Sequence, residues 1–188
     1  MSKELRQHIE KIISLTDDEF NFVLSHFTAK KFKKHQYIIQ AGDFAPNDHF
    51  IVRGLLKASH SNEQGKTHIV QFGMEDWWIS DPQAYHYETR ATLNVDCLED
   101  CETLYISLQN REKLCTEMHK MEFFFRKKTT AGYVAMQKRV LSLISNSAKE
   151  RYELLLQQYP QFLQRIPKTL IASYLGVTRE TLSRLTTV

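Results

Sequence analysis

The chain is short of the residues and patterns that would make it a disulfide scaffold, a membrane protein or a familiar kind of enzyme. Its 188 residues hold three cysteines, Cys97, Cys101 and Cys115. An odd count in a chain long enough to bury a proper core argues against a disulfide framework and predicts free thiols. No apolar run approaches the roughly 20 residues a helix needs to span a bilayer. The N-terminus carries Lys3, Glu4 and Arg6 with no apolar core after them, which does not resemble a secretion signal. A cytoplasmic protein without membrane contact is the expectation.

Site chemistry is equally scarce. The eight histidines include no His-x-His pair and no helical His-x-x-x-His, a cluster that a cupin-type metalloenzyme would need. Cys97 and Cys101 lie four apart near a turn, but two thiols without a third ligand nearby make a poor metal site. No Gly-rich phosphate loop, serine nucleophile elbow or Cys-His signature is present. Catalysis therefore has no candidate residues, and neither metal nor cofactor is expected.

What the chain does have is an uneven charge. Residues 1–110 hold 11 Lys and Arg against 16 Asp and Glu, a net −5, whereas residues 111–188 hold 14 against 6, a net +8. An acidic front and a basic rear suit a protein whose C-terminal part touches phosphate.

The basic rear also carries the most informative segment, Ile166 to Leu185, IPKTLIASYLGVTRETLSRL. Ile171, Leu175, Val177, Leu182 and Leu185 are apolar where two short helices must pack, and Ala172 is small where they cross. Gly176 falls where the first helix stops and a positive φ is expected. Thr178 supplies a hydroxyl to cap the second helix. This is the spacing of a helix-turn-helix. Arg179, Glu180, Thr181, Ser183 and Arg184 are left on the outer face of the second helix, where a major groove would meet them. An arginine fork matches guanine O6 and N7, and a glutamate accepts from the cytosine amino group, so Arg179 and Glu180 are the expected base readers. Ser183 and Arg184 reach a phosphate or a second guanine, and Lys168 and Thr169 are placed for phosphates. A helical hairpin with a charged solvated face is the bland alternative.

Upstream, three patterns follow one another. Residues 3–28 look helical, with Leu5, Ile9, Ile12 and Ile13 at helical spacing and a capping box from Thr16 to Glu19. From about Lys30 to Ser107 short β-rich runs alternate with turn residues, at 37–43, 49–59, 62–66, 67–73, 91–98 and 102–107, which indicates a β-sandwich or roll. An irregular aromatic stretch, EDWWISDPQAYHYET at 75–89, interrupts them. It offers a place for a small ligand lined by Trp78, Ser80, Asp81 and Arg90, although Trp77 and Trp78 fit equally well as core. Residues 109–146 read as one long helix in which Thr129, Tyr133, Met136, Val140 and Leu143 follow a 4-3-4-3 spacing, the seam of a coiled-coil-like contact with a second copy.

The order of lead-in helices, roll, long helix and terminal helix-turn-helix resembles the CRP/FNR superfamily of bacterial transcription regulators. QAGD at 40–43 and FIVRGLLK at 50–57 look like the front of that family's cyclic-nucleotide-binding roll. TRETLSR at 178–184 is similar to its recognition helix, in which an Arg-Glu pair and a second arginine read a guanine-rich half-site. ERYELLLQQYP at 150–160 looks like the lead-in to the DNA-binding part in Bacteroidetes-type members. The resemblance implies an α+β chain: a β-roll (jelly roll) sensor domain with N-terminal helices at 1–110, a dimerisation helix at 111–146 and an all-α helix-turn-helix domain at 147–188. It implies a homodimer on a palindromic promoter site, a half-site similar to TGTGA, contacts from Arg179, Glu180 and Arg184, and RNA polymerase as a further partner.

The chain also departs from that family. Nucleotide-binding members carry a Gly-Glu pair for the sugar and, some ten residues on, an Arg-Ser or Arg-Thr pair for the cyclic phosphate. Here WISD at 78–81 holds the first place, with Ser80 about where the Glu would fall, and Ala91 rather than Arg90 falls nearer the arginine position. A buried phosphate without a charged fork is poorly compensated, so cyclic AMP is not the expected effector, and the effector is unassigned. The cysteines of the iron-sulfur branch are missing from the N-terminus, and the β-wing after the recognition helix is missing because the chain stops at LTTV. Two other functions stay open: a sensor or adaptor whose helix-turn-helix contacts protein only, and an enzyme on a cupin-like roll.

Overall fold

The computed structural model describes residues 1–185. The chain-end feature read from LTTV falls largely outside them. Two helices lead in, α1 (Ser2–Glu10) and α2 (Asp17–Leu24). Thr16 caps α2 as its sequence implies: its hydroxyl accepts from the Glu19 N–H at 3.2 Å, and Glu19 accepts from the Thr16 N–H at 2.9 Å.

Strands β1 (Thr28–Phe32), β2 (Tyr37–Ile39), β3 (Asn47–Arg53), β4 (Leu56–Ser61), β5 (Thr67–Gly73) and β6 (Trp78–Ile79) follow, then the short helix α3 (Pro82–Tyr87), β7 (Asn94–Cys97) and β8 (Cys101–Ser107). They form two four-stranded antiparallel sheets, ordered β1-β8-β3-β6 and β2-β7-β4-β5. The run at 49–59 is two strands because Gly54 turns the chain at φ +108, where a Cβ would stand 2.6 Å from Cys101 Sγ. The run at 62–66 is the β4–β5 hairpin turn, closed by the Lys66 N–H donating to the Asn62 carbonyl side chain at 2.9 Å. Strand β1, TAKKF, lacks apolar alternation because it is an edge strand with one buried residue, Phe32.

Helices α4 (Leu108–Glu117), α5 (His119–Ser145), α6 (Ala148–Gln158), α7 (Phe162–Arg165), α8 (Lys168–Leu175) and α9 (Arg179–Leu185) complete the described chain. The single helix expected over 109–146 is broken at Met118, whose backbone is extended at φ −138 and ψ 95. The break lets Leu114 of α4 and Met121, Phe124 and Phe125 of α5 enter one core with Leu5, Ile9 and Phe50. A straight helix could not turn both segments onto the same side of the roll.

Three cores result. One lies between the N-terminal helices, the roll and the start of α5, and a second fills the roll around Ile51, Leu56 and Val95. The third joins Leu55, Ile69 and Phe72 of the roll to Phe162, Ile171, Leu175 and Leu182 of the C-terminal helices. The neighbouring tryptophans divide between them. Trp78 packs with the N-terminal helices and donates to His8 Nε2 at 3.0 Å, whereas Trp77 packs on Tyr159 of the C-terminal segment. No helix among the described residues is long and apolar enough to cross a membrane.

Candidate nucleic-acid interface

Helices α8 and α9 form the helical pair that the sequence spells out. Ile171, Ala172, Leu175 and Leu182 are buried between them and the roll. Gly176 ends α8 in the left-handed conformation, φ +69, and the Val177 N–H closes the turn on the Ala172 carbonyl at 3.0 Å. Thr178 Oγ1 accepts from the Thr181 N–H at 3.2 Å, capping α9.

With the apolar side packed, the polar side of α9 faces out. Lys168, Thr169, Thr178, Arg179, Glu180, Ser183 and Arg184 are exposed, and Thr181 is half-buried. Arg179, Glu180, Ser183 and Arg184 line one open groove. The structure thus brings the two expected base readers, Arg179 and Glu180, together with Ser183 and Arg184. Glu180's own backbone N–H, Thr178, and the charges of Arg179 and Arg184 hold its carboxyl below the ordinary value, so it is an ionised acceptor at neutral pH.

On α5 the expected seam residues Tyr133, Met136, Val140 and Leu143 are exposed, and Thr129 is too. Tyr133 is 72% and Ile144 77% exposed, far more than apolar side chains of a packed helix. Ile144 shares the stripe but lies off the 4-3-4-3 count, so spacing alone missed it. Leu143 is at the stripe's edge, with its Cδ2 3.6 Å from where a Cβ on Gly176 would be.

The four residues expected to line a pocket do not surround one cavity. Trp78 packs half-buried against the core, and Ser80 lies against the half-buried Asp48. Arg90 is exposed, donating to the Gly42 carbonyl at 2.7 Å with its guanidinium over the Phe44 ring. Asp81 is buried at the start of α3, where its carboxylate accepts from the N–H groups of Ala84 (3.1 Å), Thr92 (2.8 Å) and Leu93 (3.0 Å) and from the Thr92 hydroxyl (3.2 Å).

Known proteins place this architecture. Residues 29–118 match the family described as the cyclic nucleotide-binding domain. The anaerobic regulatory protein of Bacillus subtilis (strain 168) is 23% identical over 135 residues, covering 72% of this chain and 57% of that protein. The chain therefore spans less than two thirds of that relative's length. Among solved structures, the c-di-GMP responsive global regulator CLP of Xanthomonas campestris has a TM-score of 0.73 at 11% identity, covering 90% of this chain and 89% of that one. FixK2 of Bradyrhizobium japonicum has a TM-score of 0.73 at 17% identity over 85% and 82% of the two chains. The catabolite activator protein of Thermus thermophilus has 0.59 at 17% identity over 92% and 82%. The fold is shared with these regulators, and residues 29–118 match the cyclic nucleotide-binding domain.

A cleft that sequence reasoning missed lies between α4 and α5. It holds about 460 Å³ and is lined by Arg111, Glu122, Phe125, Arg126, Thr129, Thr130 and Tyr133. Arg111 lies 4.3 Å from the Phe125 ring centroid and 3.7 Å from the Asp48 carboxylate. The buried hydroxyl of Tyr85 lies under the same arginine and has no hydrogen-bond acceptor. Nothing in the local sequence marks Arg111, because the helix break at Met118 is what brings α4 beside α5. Among the described residues no three potential metal ligands cluster.

Proposed function

We propose that the chain is a sequence-specific DNA-binding regulator that works as a homodimer inside the cell. One observation carries this reading: the outer face of α9 presents Arg179, Glu180, Ser183 and Arg184 together in one open groove, while its inner face is fixed in the core. An exposed bidentate donor beside an ionised acceptor suits base edges, and Lys168 and Thr169 at the start of α8 suit phosphates. The net +8 of residues 111–188 supplies the long-range attraction.

Dimerisation follows from the α5 stripe, whose exposed Tyr133, Met136, Val140 and Ile144 find a partner most simply in a second copy. Two reading helices related by a two-fold axis then meet a palindromic site, and promoter-bound dimers are in a position to contact RNA polymerase. In the roll, the anion cradle at Thr92 and Leu93 is filled by the chain's own Asp81, which disfavours a cyclic phosphate there. An effector, where one acts, has the Arg111 cleft open to it, beside the dimer stripe.

The test is selection of binding sites from random duplex DNA by purified protein at near-physiological salt without added ligand. Enrichment of a two-fold symmetric, guanine-containing site is the expected result. Binding to protein alone, with no salt-dependent DNA affinity, would make the chain an adaptor instead.

A further inference from the structure

Arg165, the last residue of α7, grips two carboxylates of the roll at once. Its Nε and Nη2 donate to Glu99 at 3.0 and 2.7 Å, and its Nη1 and Nη2 donate to Glu75 at 2.8 and 3.0 Å. Glu75 also accepts from the Gly54 N–H at 2.8 Å. One guanidinium thus ties together the turn at Gly54, the loop between β5 and β6, and the turn between β7 and β8. Burial pushes the Glu75 carboxyl up, but Arg165 and the Gly54 N–H outweigh it and hold it below the ordinary value. Glu99 first, and Glu75 second, hold Arg165 firmly protonated.

A second tie closes the other end of the same interface. Arg139 of α5 donates to the carbonyls of Ile69 (3.0 Å) and Tyr174 (2.9 Å), with its guanidinium 3.7 Å from the Tyr174 ring centroid. Ser173 of α8 accepts from the Ile69 N–H at 3.3 Å and donates to the Thr67 carbonyl at 3.1 Å. Between the two ties lie the ring contacts of Phe72 with Phe162 and of Trp77 with Tyr159. Apolar contact of this kind holds the head near the roll but is not directional. The arginine forks are directional, because two parallel charge-assisted bonds fix an orientation as well as a distance.

We propose that Arg165 is a positioning residue for DNA reading: by spanning Glu75 and Glu99 it sets the angle of the reading head on its own roll, and thereby the half-site separation that the dimer accepts. The proposal rests on the DNA-reading function argued above. Without the fork, the head keeps the Arg139 and Ser173 tie and the apolar contacts but is released at its Arg165 end, and it swings about the remaining tie and the short link at 146–147. A swinging head has a lower effective concentration at the second half-site and less preference for one spacing. Base choice inside a half-site belongs to α9 and stays as it was.

The experiment compares full-length wild type with Arg165→Ala, Arg165→Lys and the double variant Glu75→Gln, Glu99→Gln. Each is titrated on the selected two-fold site and on the same site with one central base pair added or removed. Arg165→Ala and the double variant are expected to bind the intact site about tenfold more weakly. Their penalty for altered spacing should shrink severalfold, with half-site base preference unchanged. Arg165→Lys keeps the charge without the fork and should show the same loss of spacing preference, so it stands in for Arg165→Ala if that variant does not fold. A spacing penalty equal to wild type in the folded variants overturns the proposal. Amide ¹⁵N relaxation without DNA separates the two claims: residues 148–185 should tumble with the roll in wild type and partly apart from it in Arg165→Ala. Wild type that selects no two-fold site overturns the DNA reading, and identical tumbling in both proteins overturns the fork.

Discussion

The backbone N–H and the hydroxyl of Thr92 both donate to the Asp81 carboxylate, at 2.8 and 3.2 Å. With the N–H groups of Ala84 and Leu93 they make a four-donor anion cradle around a side chain of the chain itself. In a segment that matches the cyclic nucleotide-binding domain, this leaves an incoming phosphate nothing unoccupied to bind at that point.

Millimolar cyclic AMP is therefore expected to leave the melting temperature of the wild-type protein unchanged in a thermal-shift measurement. A clear upward shift would mean that Asp81 yields its place. Asp81→Ala should destabilise the chain by about 2–4 kcal/mol in urea unfolding, since it removes the α3 cap and leaves buried N–H groups without an acceptor.

At the reading helix, Arg179→Ala should cost roughly 1–3 kcal/mol on the selected site and relax preference at one base pair. Lys168→Ala should weaken selected and random duplexes alike and flatten the salt dependence by about one unit of log–log slope. Equal losses on both duplexes for Arg179→Ala would remove it as a base reader.

For the dimer, Val140→Glu or Ile144→Glu places a carboxylate in the middle of the apolar stripe, where pairing would bury it unpaired. Sedimentation should show the mass fall from dimer to monomer. A wild-type protein that is already monomeric at micromolar concentration would refute the stripe as a dimer seam.

Acid sensitivity has a specific source in His49, which is buried against Thr103, Phe32 and Tyr105. Burial, with a smaller contribution from Lys30, pushes its imidazole down from the ordinary 6.5 to about 3. The unfolded chain takes up this proton first, so the stabilisation is complete above about pH 6.5 and drains away as pH falls toward 3. His8, through burial and the charge of Lys128, shifts in the same direction. The urea midpoint should fall below pH 6.5, and His49→Gln should reduce that slope by up to about 1.4 kcal/mol per pH unit. An unchanged slope would show that His49 is not responsible.

The features legible in the sequence are those decided within a few residues. The capping box at Thr16, the Gly176 turn, the Thr178 cap and the polar face of α9 each depend on local geometry, and all are formed as the residue types demand. The strands with apolar alternation could be read for the same reason, whereas β1, an edge strand of lysines, could not. Only the tertiary structure decided where distant segments meet. It broke the long helix at Met118 so that both halves could reach one core, and so put Arg111 beside Thr129. The same packing sent Trp77 and Trp78 to different cores, turned Asp81 inward onto Thr92, and set Arg165 between Glu75 and Glu99, 90 and 66 residues away. Pairings across such separations depend on how sheets and helices fill a shared volume, which no local spacing encodes.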